Sequence, residues 1–266
     1  MSAADTPPVT ADSWSEWRAV TPARLALGRA GAGMPTDETL RFGWAHAMAR
    51  DAIHAALDVD RLEAGLRADG WDVVRVHSRA EDRAAYLRRP DHGRQLAPPD
   101  AARLRDDARP AEVCVVIGDG LSSLAVERHA RPLLAALRPL LPAATVFAPV
   151  VIASQARVAL ADEAGEIFGA RLSVMLIGER PGLSSPDSLG IYLTHGPRRG
   201  RHDAERNCIS NVRPEGLAYG VAAFKLAWLM REAMRRGVTG VVLKDESDLG
   251  VIDSGAGGSI CAVRPL

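Results

Sequence analysis

Val113-Cys114-Val115-Val116-Ile117, stopped by Gly118-Asp119-Gly120, is an unbroken apolar run rich in β-branched residues. A strand with one wet face alternates apolar and polar positions. A run with no polar position is covered on both faces, the pattern of a strand inside a parallel sheet. Downstream, Leu121 to Leu141 has helical spacing, Thr145 to Ile152 reads as a second strand, Asp162 to Phe168 as a short helix and Leu172 to Ile177 as a third strand. Ile191-Tyr192-Leu193-Thr194 offers a fourth. Gly216 to Arg236 predicts an amphipathic helix with Leu217, Val221, Phe224 and Trp228 on one face and Gly237 as its stop. Val241-Val242-Leu243 reads as a last strand. Strand alternating with helix means a doubly wound α/β sheet.

Upstream the pattern differs. Residues 1–20 read as a mobile leader, and residues 21–36 as irregular. A helix is expected from Asp37, capped by Thr36 or Asp37, with Leu40, Trp44, Met48 and Ile53 at helical spacing. Leu62 to Ala68, Ala80 to Leu87 and Asp100 to Asp107 are further short helices, and Trp71 to Val76 alternates as a strand would. Arg109-Pro110 marks a boundary. The expected organisation is a mostly helical N-terminal domain over 21–110, the sheet domain over 111–245, and a loose Gly- and Ser-rich tail over 246–266.

Composition excludes several classes. Lys+Arg and Asp+Glu both number 33, so the net charge is zero; a nucleic-acid partner, which excess basic charge would hold, is not expected. The only lysines are Lys225 and Lys244, so Schiff-base chemistry has few anchors. Cys114, Cys208 and Cys261 are odd in number and widely spaced, which is neither a disulfide framework nor a zinc cluster, and a reducing cytoplasm fits. No apolar run approaches the ~18–20 residues of a membrane span, and the N-terminus lacks the basic start and apolar core of a signal peptide.

Two polar stretches hold the chemistry. Gly178-Glu179-Arg180-Pro181-Gly182-Leu183-Ser184-Ser185-Pro186-Asp187-Ser188 follows a strand, and Glu205-Arg206-Asn207-Cys208-Ile209-Ser210-Asn211 comes later. Strand-end loops of this kind hold ligands in α/β proteins. Each residue also has a plainer reading. Glu179 and Arg180 could brace the loop as an ion pair, Cys208 could be a small buried hydrophobe, Val158 could be core, and Asp203, Glu205 and Arg206 could be a solvated charged loop. Gly118-Asp119-Gly120-Leu121-Ser122-Ser123 could offer a helix N-terminus to a ligand, but a tight turn with Asp119 or Ser122 as cap is the favoured reading. Gly28-x-x-Gly31-x-Gly33 is no dinucleotide fingerprint, and phosphate loop, nucleophile elbow and H-E-x-x-H are all absent. The seven histidines never fall at metal-ligand spacing, so no metal site is expected.

The ordered segments resemble the small (light) subunit of ethanolamine ammonia-lyase over residues 21–245. They begin with Thr21-Pro22-Ala23-Arg24, Gly28-Arg29-Ala30-Gly31 and Ala45-His46-Ala47-Met48-Ala49-Arg50-Asp51-Ala52. They continue through Asp82-Arg83-x-x-Tyr86-Leu87-x-Arg89-Pro90-Asp91-x-Gly93-Arg94, Val116-Ile117-x-Asp119-Gly120-Leu121-Ser122, Arg157-Val158 and Asp162-Glu163-x-Gly165-Glu166. They close with Gly169-Ala170, Gly178-Glu179-Arg180-Pro181-Gly182-Leu183, Asp203 to Asn211 and Gly240-Val241.

The resemblance implies a Rossmann-like sheet domain behind the helical one. It also implies a role as one subunit of a lyase that converts ethanolamine to acetaldehyde and ammonia by a radical mechanism. In that family the large subunit carries the substrate site, and adenosylcobalamin lies between the two chains. Carried over by motif, Val158, Glu179 and Cys208 would touch cobalamin, and no catalytic residue is expected in this chain. D-x-H-x-x-G is absent, Asp91-His92-Gly93 having the wrong spacing, so bound cobalamin is expected to keep its own base on cobalt. The expected location is the cytoplasm, with a bacterial microcompartment as the family's other setting; with so short a leader, the targeting extension that some relatives use for it is not expected. A stand-alone, non-catalytic cobalamin-binding module is the alternative. A Rossmann-like oxidoreductase is disfavoured by the missing glycine fingerprint.

Overall fold

A computed structural model describes residues 8–248, so the first part of the leader, most of the expected tail and Cys261 lie outside the described residues. The chain forms a mixed six-stranded sheet covered by helices on both faces. The strands are β1 (Val73–His77), β2 (Val113–Gly118), β3 (Val150–Ser154), β4 (Leu172–Gly178), β5 (Leu189–His195) and β6 (Asn207–Val212). Their order across the sheet is β1-β3-β2-β4-β5-β6. The helices are α1 (Thr36–His54), α2 (Val59–Ala68), α3 (Arg83–Arg88), α4 (Pro98–Asp107), α5 (Ser123–Leu137), α6 (Leu160–Ile167) and α7 (Tyr219–Arg236).

The apolar run that suggested a doubly covered strand is one: every residue of β2 is buried, as is every residue of β4. Side chains alternate between faces, so β2 feeds two cores. Val113, Val115 and Ile117 pack under α2, α5 and α7, whereas Cys114 and Val116 pack under α4 and α6. Burying one Val or Ile in this way is worth about 1.5–3 kcal/mol, so the central strands anchor the fold.

The sheet is not wholly parallel, which corrects the expected arrangement. β1, β3, β2 and β4 run together, but β5 is antiparallel to β4 and β6 antiparallel to β5. A parallel return needs a crossover, usually a helix. Only loop residues join β4 to β5, and only a short 3-10 turn at Asp203–Glu205 interrupts the link from β5 to β6. β1, upstream of the Arg109-Pro110 boundary, pairs with β3 from Val73↔Val150 to His77↔Ser154 and so joins this same sheet.

Other elements depart from their sequence reading. The Val241-Val242 strand is absent: Gly240–Val242 forms a 3-10 turn, Val241 and Val242 are 74% and 70% exposed, and only Leu243 is buried. Gly240, at φ +79, sits where a Cβ would lie 2.0 Å from the Ala204 carbonyl oxygen, so only glycine fits this left-handed turn, where the chain leaves the sheet. Asn207 to Val212, read as a polar loop, is an edge strand. In α7 the buried stripe is Ala222, Ala223, Leu226, Met230 and Ala233, while Val221 and Phe224 face outward. The small residues let α7 lie close on α5; of the expected face, Leu217 and Trp228 do pack half-buried on the core. Gly237 ends α7 at φ +71 as expected. Beyond it Lys225 Nζ bonds Asp245, Ser247 and Asp248, tying the start of the tail to α7.

α1 forms where expected, but its apolar residues do not turn inward. Leu40 and Trp44 are 68% and 70% exposed, and only Glu38 and Ala52 of the helix are buried. No helix among the described residues is long and apolar enough to cross a membrane.

Candidate functional site

β2 leads through α5 to β3 on one side of it, and β3 leads through α6 to β4 on the other. α5 and α6 therefore cover opposite faces, and their crossovers part between β2 and β4. Such a switch point leaves a crevice at the carboxyl ends of the strands, where open α/β sheets take their ligands. A cavity of about 450 Å³ opens there. Its walls are Tyr86, Leu121 after β2, Arg157 and Val158 after β3, Ile177, Gly178, Glu179 and Arg180 at the end of β4, and Tyr192 of β5.

Two glycines close the base of this site. A Cβ on Gly120, which lies at φ +58, would stand 2.3 Å from the Gly178 carbonyl oxygen, and one on Gly178 would stand 2.0 Å from that of Ser122. With hydrogen in place of both side chains, the two strand ends touch, and Leu121 N donates to Gly178 O at 2.9 Å. The turn reading of the Gly118-to-Ser123 stretch holds. Ser122 Oγ caps α5 by accepting Ala125 N at 3.3 Å. The buried Asp119 carboxylate accepts the backbone N–H groups of Gly120, Gln155 and Ala156, each at 2.9 Å. Asp119 thereby staples the β3 loop to the β2 loop.

Glu179 is braced, but not by Arg180. Its carboxylate accepts the hydroxyls of Ser188 and Ser210, the latter at 2.5 Å, and Asn211 N at 3.1 Å. Three donors from two other segments therefore hold one side chain at the cavity wall, and of the roughly four lone-pair sites of a carboxylate one, on Oε1, remains for a ligand. Arg180, exposed at the mouth, makes no ion pair among the described residues.

Val158 is half-buried: it packs on the α4/α6 core and also faces the cavity. Cys208 is not the small buried hydrophobe of the plainer reading; it is exposed on β6, opposite Tyr192 of β5. Its sulfur is nonetheless crowded by neighbouring atoms. That burial pushes the thiol up, the Tyr192 phenol draws it partly back, and the Glu179 charge adds to the rise. A thiol held neutral is a packing and hydrogen-bonding group, not a nucleophile. The structure thus places Val158 and Glu179 on one cavity and Cys208 beside it through Tyr192.

Arg206 does not belong to a solvated loop. It is 7% exposed, with Nη1 2.6 Å from Asp162 Oδ2 and 3.3 Å from Thr194 Oγ1. This buried pair clamps the segment before β6 onto α6. Sequence reasoning missed Tyr86, Arg157 and Tyr192 as site residues. The signals were the Asp82-Arg83-x-x-Tyr86 segment and the arginine directly before Val158. Among the described residues no group of three or more His, Cys, Asp or Glu is placed to hold a metal ion. A roomier cavity, about 600 Å³, lies at the opposite end of the strands, walled by Val113, Leu141, Leu172, Met230 and their neighbours. It is at the amino ends of β2 and β4, and its acid, Glu112, already accepts Val146 N.

Comparison with known proteins shows what the chain is similar to. The family model for the ethanolamine ammonia-lyase light chain (EutC) matches residues 11–244. The ethanolamine ammonia-lyase small subunit of Azotobacter vinelandii is 54% identical over 259 residues, covering 96% of each chain. That of Ralstonia nicotianae is 52% identical over 257 residues, covering 94% of this chain and 95% of its own. That of Bradyrhizobium diazoefficiens is 58% identical over 233 residues, covering 86% and 89%.

Proposed function

The chain belongs to the ethanolamine ammonia-lyase light-chain family, and from that premise we propose that it completes the adenosylcobalamin site of an ethanolamine ammonia-lyase whose large subunit carries the substrate site. The complex would convert ethanolamine to acetaldehyde and ammonia. One observation carries the proposal: Val158 and Glu179, distant in sequence, line one cavity at the switch point of the sheet, with Cys208 next to it through Tyr192.

The donor set fits a corrinoid. Cobalamin presents an apolar ring edge and a rim of neutral amides. Val158 offers apolar contact, Glu179 keeps acceptor capacity for an amide N–H, and the neutral Cys208 thiol can fill a narrow gap. Arg157 Nε is buried without a partner among the described residues, an unmet donor that suits a polar ligand atom. When bound, adenosylcobalamin supplies a cobalt–carbon bond that can break homolytically. This chain's residues bind and orient the group and exclude water; none is asked to move a proton.

The subunit role draws on α1 and the segment before it. Trp14, Trp17, Leu40, Phe42 and Trp44 are all exposed. Leu40 and Trp44, four apart, share one face of α1, and exposed apolar residues side by side mark a surface that a partner covers, as a subunit of a larger enzyme requires. The test is co-expression with a matching large subunit, followed by acetaldehyde release from ethanolamine with and without adenosylcobalamin. Turnover that needs both chains and the cofactor is the expected result. Association without turnover would favour a cobalamin-binding module, and no association would sink the subunit reading.

A further inference from the structure

Tyr86 is 1% exposed, and its ring lies between two guanidinium groups: Arg83 Cζ at 4.6 Å from the ring centre and Arg157 Cζ at 4.4 Å. Cation–ring stacking of this kind holds a guanidinium in place without consuming its N–H groups. Arg83 is turned to protein: its Nε and Nη1 bond the carbonyls of Ile53 and Gly120 and it pairs with Asp119 at 3.9 Å, and although its Nη2 is buried with no partner among the described residues, it does not line the cavity. Arg157 is placed differently. Its Nη2 donates to Tyr86 O at 3.0 Å, its Nε is buried with no partner, and Nη1 donates to no described residue. Arg157 also makes no ion pair among the described residues and lines the cavity.

The seat is built for this side chain. Arg157 N donates to Gly93 O at 2.7 Å, and a Cβ on Gly93 would stand 2.7 Å from Arg157 Cγ. Tyr86 and Gly93 thus shape the groove that Arg157 occupies, which accounts for their place in the Tyr86-to-Arg94 stretch of the sequence. The charge balance of the cavity follows. Its walls hold two arginines without ion pairs, Arg157 and Arg180, and one carboxylate, Glu179, already engaged by three donors. A preorganised guanidinium with free N–H groups beside an excess positive charge selects an oxyanion, and its fork matches phosphate.

We infer that Arg157, positioned by Tyr86 and assisted by Arg180, is a phosphate-ester subsite that holds the phosphodiester of the cobalamin nucleotide loop. The inference rests on the cobalamin reading above and adds to it which part of the ligand enters the cavity. That part is the one anionic group on the periphery of an otherwise neutral, amide-rimmed molecule.

The test uses the complex of this chain with its large subunit and measures equilibrium binding of two corrinoids. Adenosylcobalamin carries the nucleotide loop, and adenosylcobinamide lacks it. Arg157→Gln is expected to weaken adenosylcobalamin by about tenfold or more, the scale of one charge-assisted bond pair, and to leave adenosylcobinamide unchanged. Arg157→Lys should fall between. Arg180→Gln, at an exposed position that does not support the fold, should show the same selectivity with a smaller loss. Equal weakening of both corrinoids, or of neither, would overturn the subsite while leaving cobalamin binding intact. Binding of neither corrinoid by the unaltered complex would instead remove the cobalamin reading, and the subsite with it. Inorganic phosphate is the third probe: displacement of adenosylcobalamin without effect on adenosylcobinamide supports the subsite. Phosphate binding by the unaltered complex that does not compete with adenosylcobalamin would overturn the corrinoid assignment.

Discussion

Glu179 and Ser210 meet across the open end of the sheet: Glu179 Oε1 accepts the Ser210 hydroxyl at 2.5 Å and joins the tip of β4 to the edge strand β6. These two strands share no ladder, since β5 lies between them. Two neighbouring bonds, from the Ser188 hydroxyl and from Asn211 N, complete the tie. A single carboxylate thus sets the relative position of the β4–β5 loop and the edge strand beside the cavity.

Glu179→Gln keeps the size and one acceptor oxygen but removes the charge. Hydrogen bonds to an ion are worth about 1.5–3 kcal/mol against about 1 for neutral pairs. Adenosylcobalamin affinity of the assembled complex is expected to fall about tenfold, with assembly itself little changed. Equilibrium dialysis reads the first and co-purification the second. Unaltered affinity would leave Glu179 a brace alone.

Cys208 should be the slower thiol than its exposure suggests. Burial of its sulfur raises its pKa, so the reactive thiolate is scarce at neutral pH and grows only as pH passes the ordinary thiol value of about 8.5. Cys114, fully buried and pushed up to about 12, should resist labelling until the chain unfolds. Iodoacetamide labelling mapped by peptide mass across pH 7 to 10 checks both. Labelling of Cys208 at pH 7 as fast as free cysteine would contradict the raised value.

Gly178→Ala should be among the most damaging single substitutions in the chain. Its new methyl would meet the backbone of Ser122, at 2.0 Å from the carbonyl oxygen, and backbone cannot step aside as a flexible side chain can. A loss of about 3 kcal/mol or more is expected from overpacking of this kind. Chemical denaturation measures it, and a loss under 1 kcal/mol would show that the two strand ends can separate freely.

Asp69, at the end of α2, forks with Arg131 of α5 at 2.7 and 2.9 Å. The hydrogen bonds from Arg131 hold the Asp69 carboxyl below its usual range. A carboxylate with a depressed folded pKa stabilises the fold fully above its unfolded value near about 3.9, and that stability is lost as pH falls through the lower folded value. Both groups are partly exposed, so the pair is worth only about 0.5 kcal/mol. Asp69→Asn should therefore cost about that much at pH 7 and nothing at strongly acid pH. Urea unfolding at several pH values tests this; a cost independent of pH would assign it to packing.

Leu40→Ser with Trp44→Ser should separate folding from assembly. Both side chains lie in solvent, so stability should change by less than about 0.5 kcal/mol. Binding to the large subunit should weaken by about 2 kcal/mol or more if Trp44 is an anchor of the interface. Unaltered binding would place the interface elsewhere.

The legible parts of the fold were those written in consecutive residues. The wholly apolar Val113-to-Ile117 run, the stop at Gly237 and the polar segment after Ile177 each carry their meaning locally, and each appears where its pattern put it. The α7 face was legible in part: Leu217 and Trp228 pack on the core, but Val221 and Phe224, larger than Ala222 and Ala233, face outward because close packing on α5 favours small residues at those contacts. β6 was missed because an edge strand buries little, and Asn207-Cys208-Ile209-Ser210-Asn211 has only one apolar anchor, Ile209, within it. Val241-Val242 has strand composition, but Gly240 turns it into solvent.

By itself the sequence determined the α/β class, the doubly covered central strands, the family and the identity of Val158, Glu179 and Cys208 as residues of interest, because periodicity and motif wording depend only on neighbours along the chain. Tertiary structure alone decided that the sheet reverses direction after β4, that Arg206 is buried against Asp162, that α1 turns its apolar side outward, and that Tyr86 and Arg157 share a cavity with Glu179. Those outcomes are contacts between segments far apart in sequence. They are set by which strands neighbour one another and by the way the crossovers diverge at β2, and no local pattern encodes either.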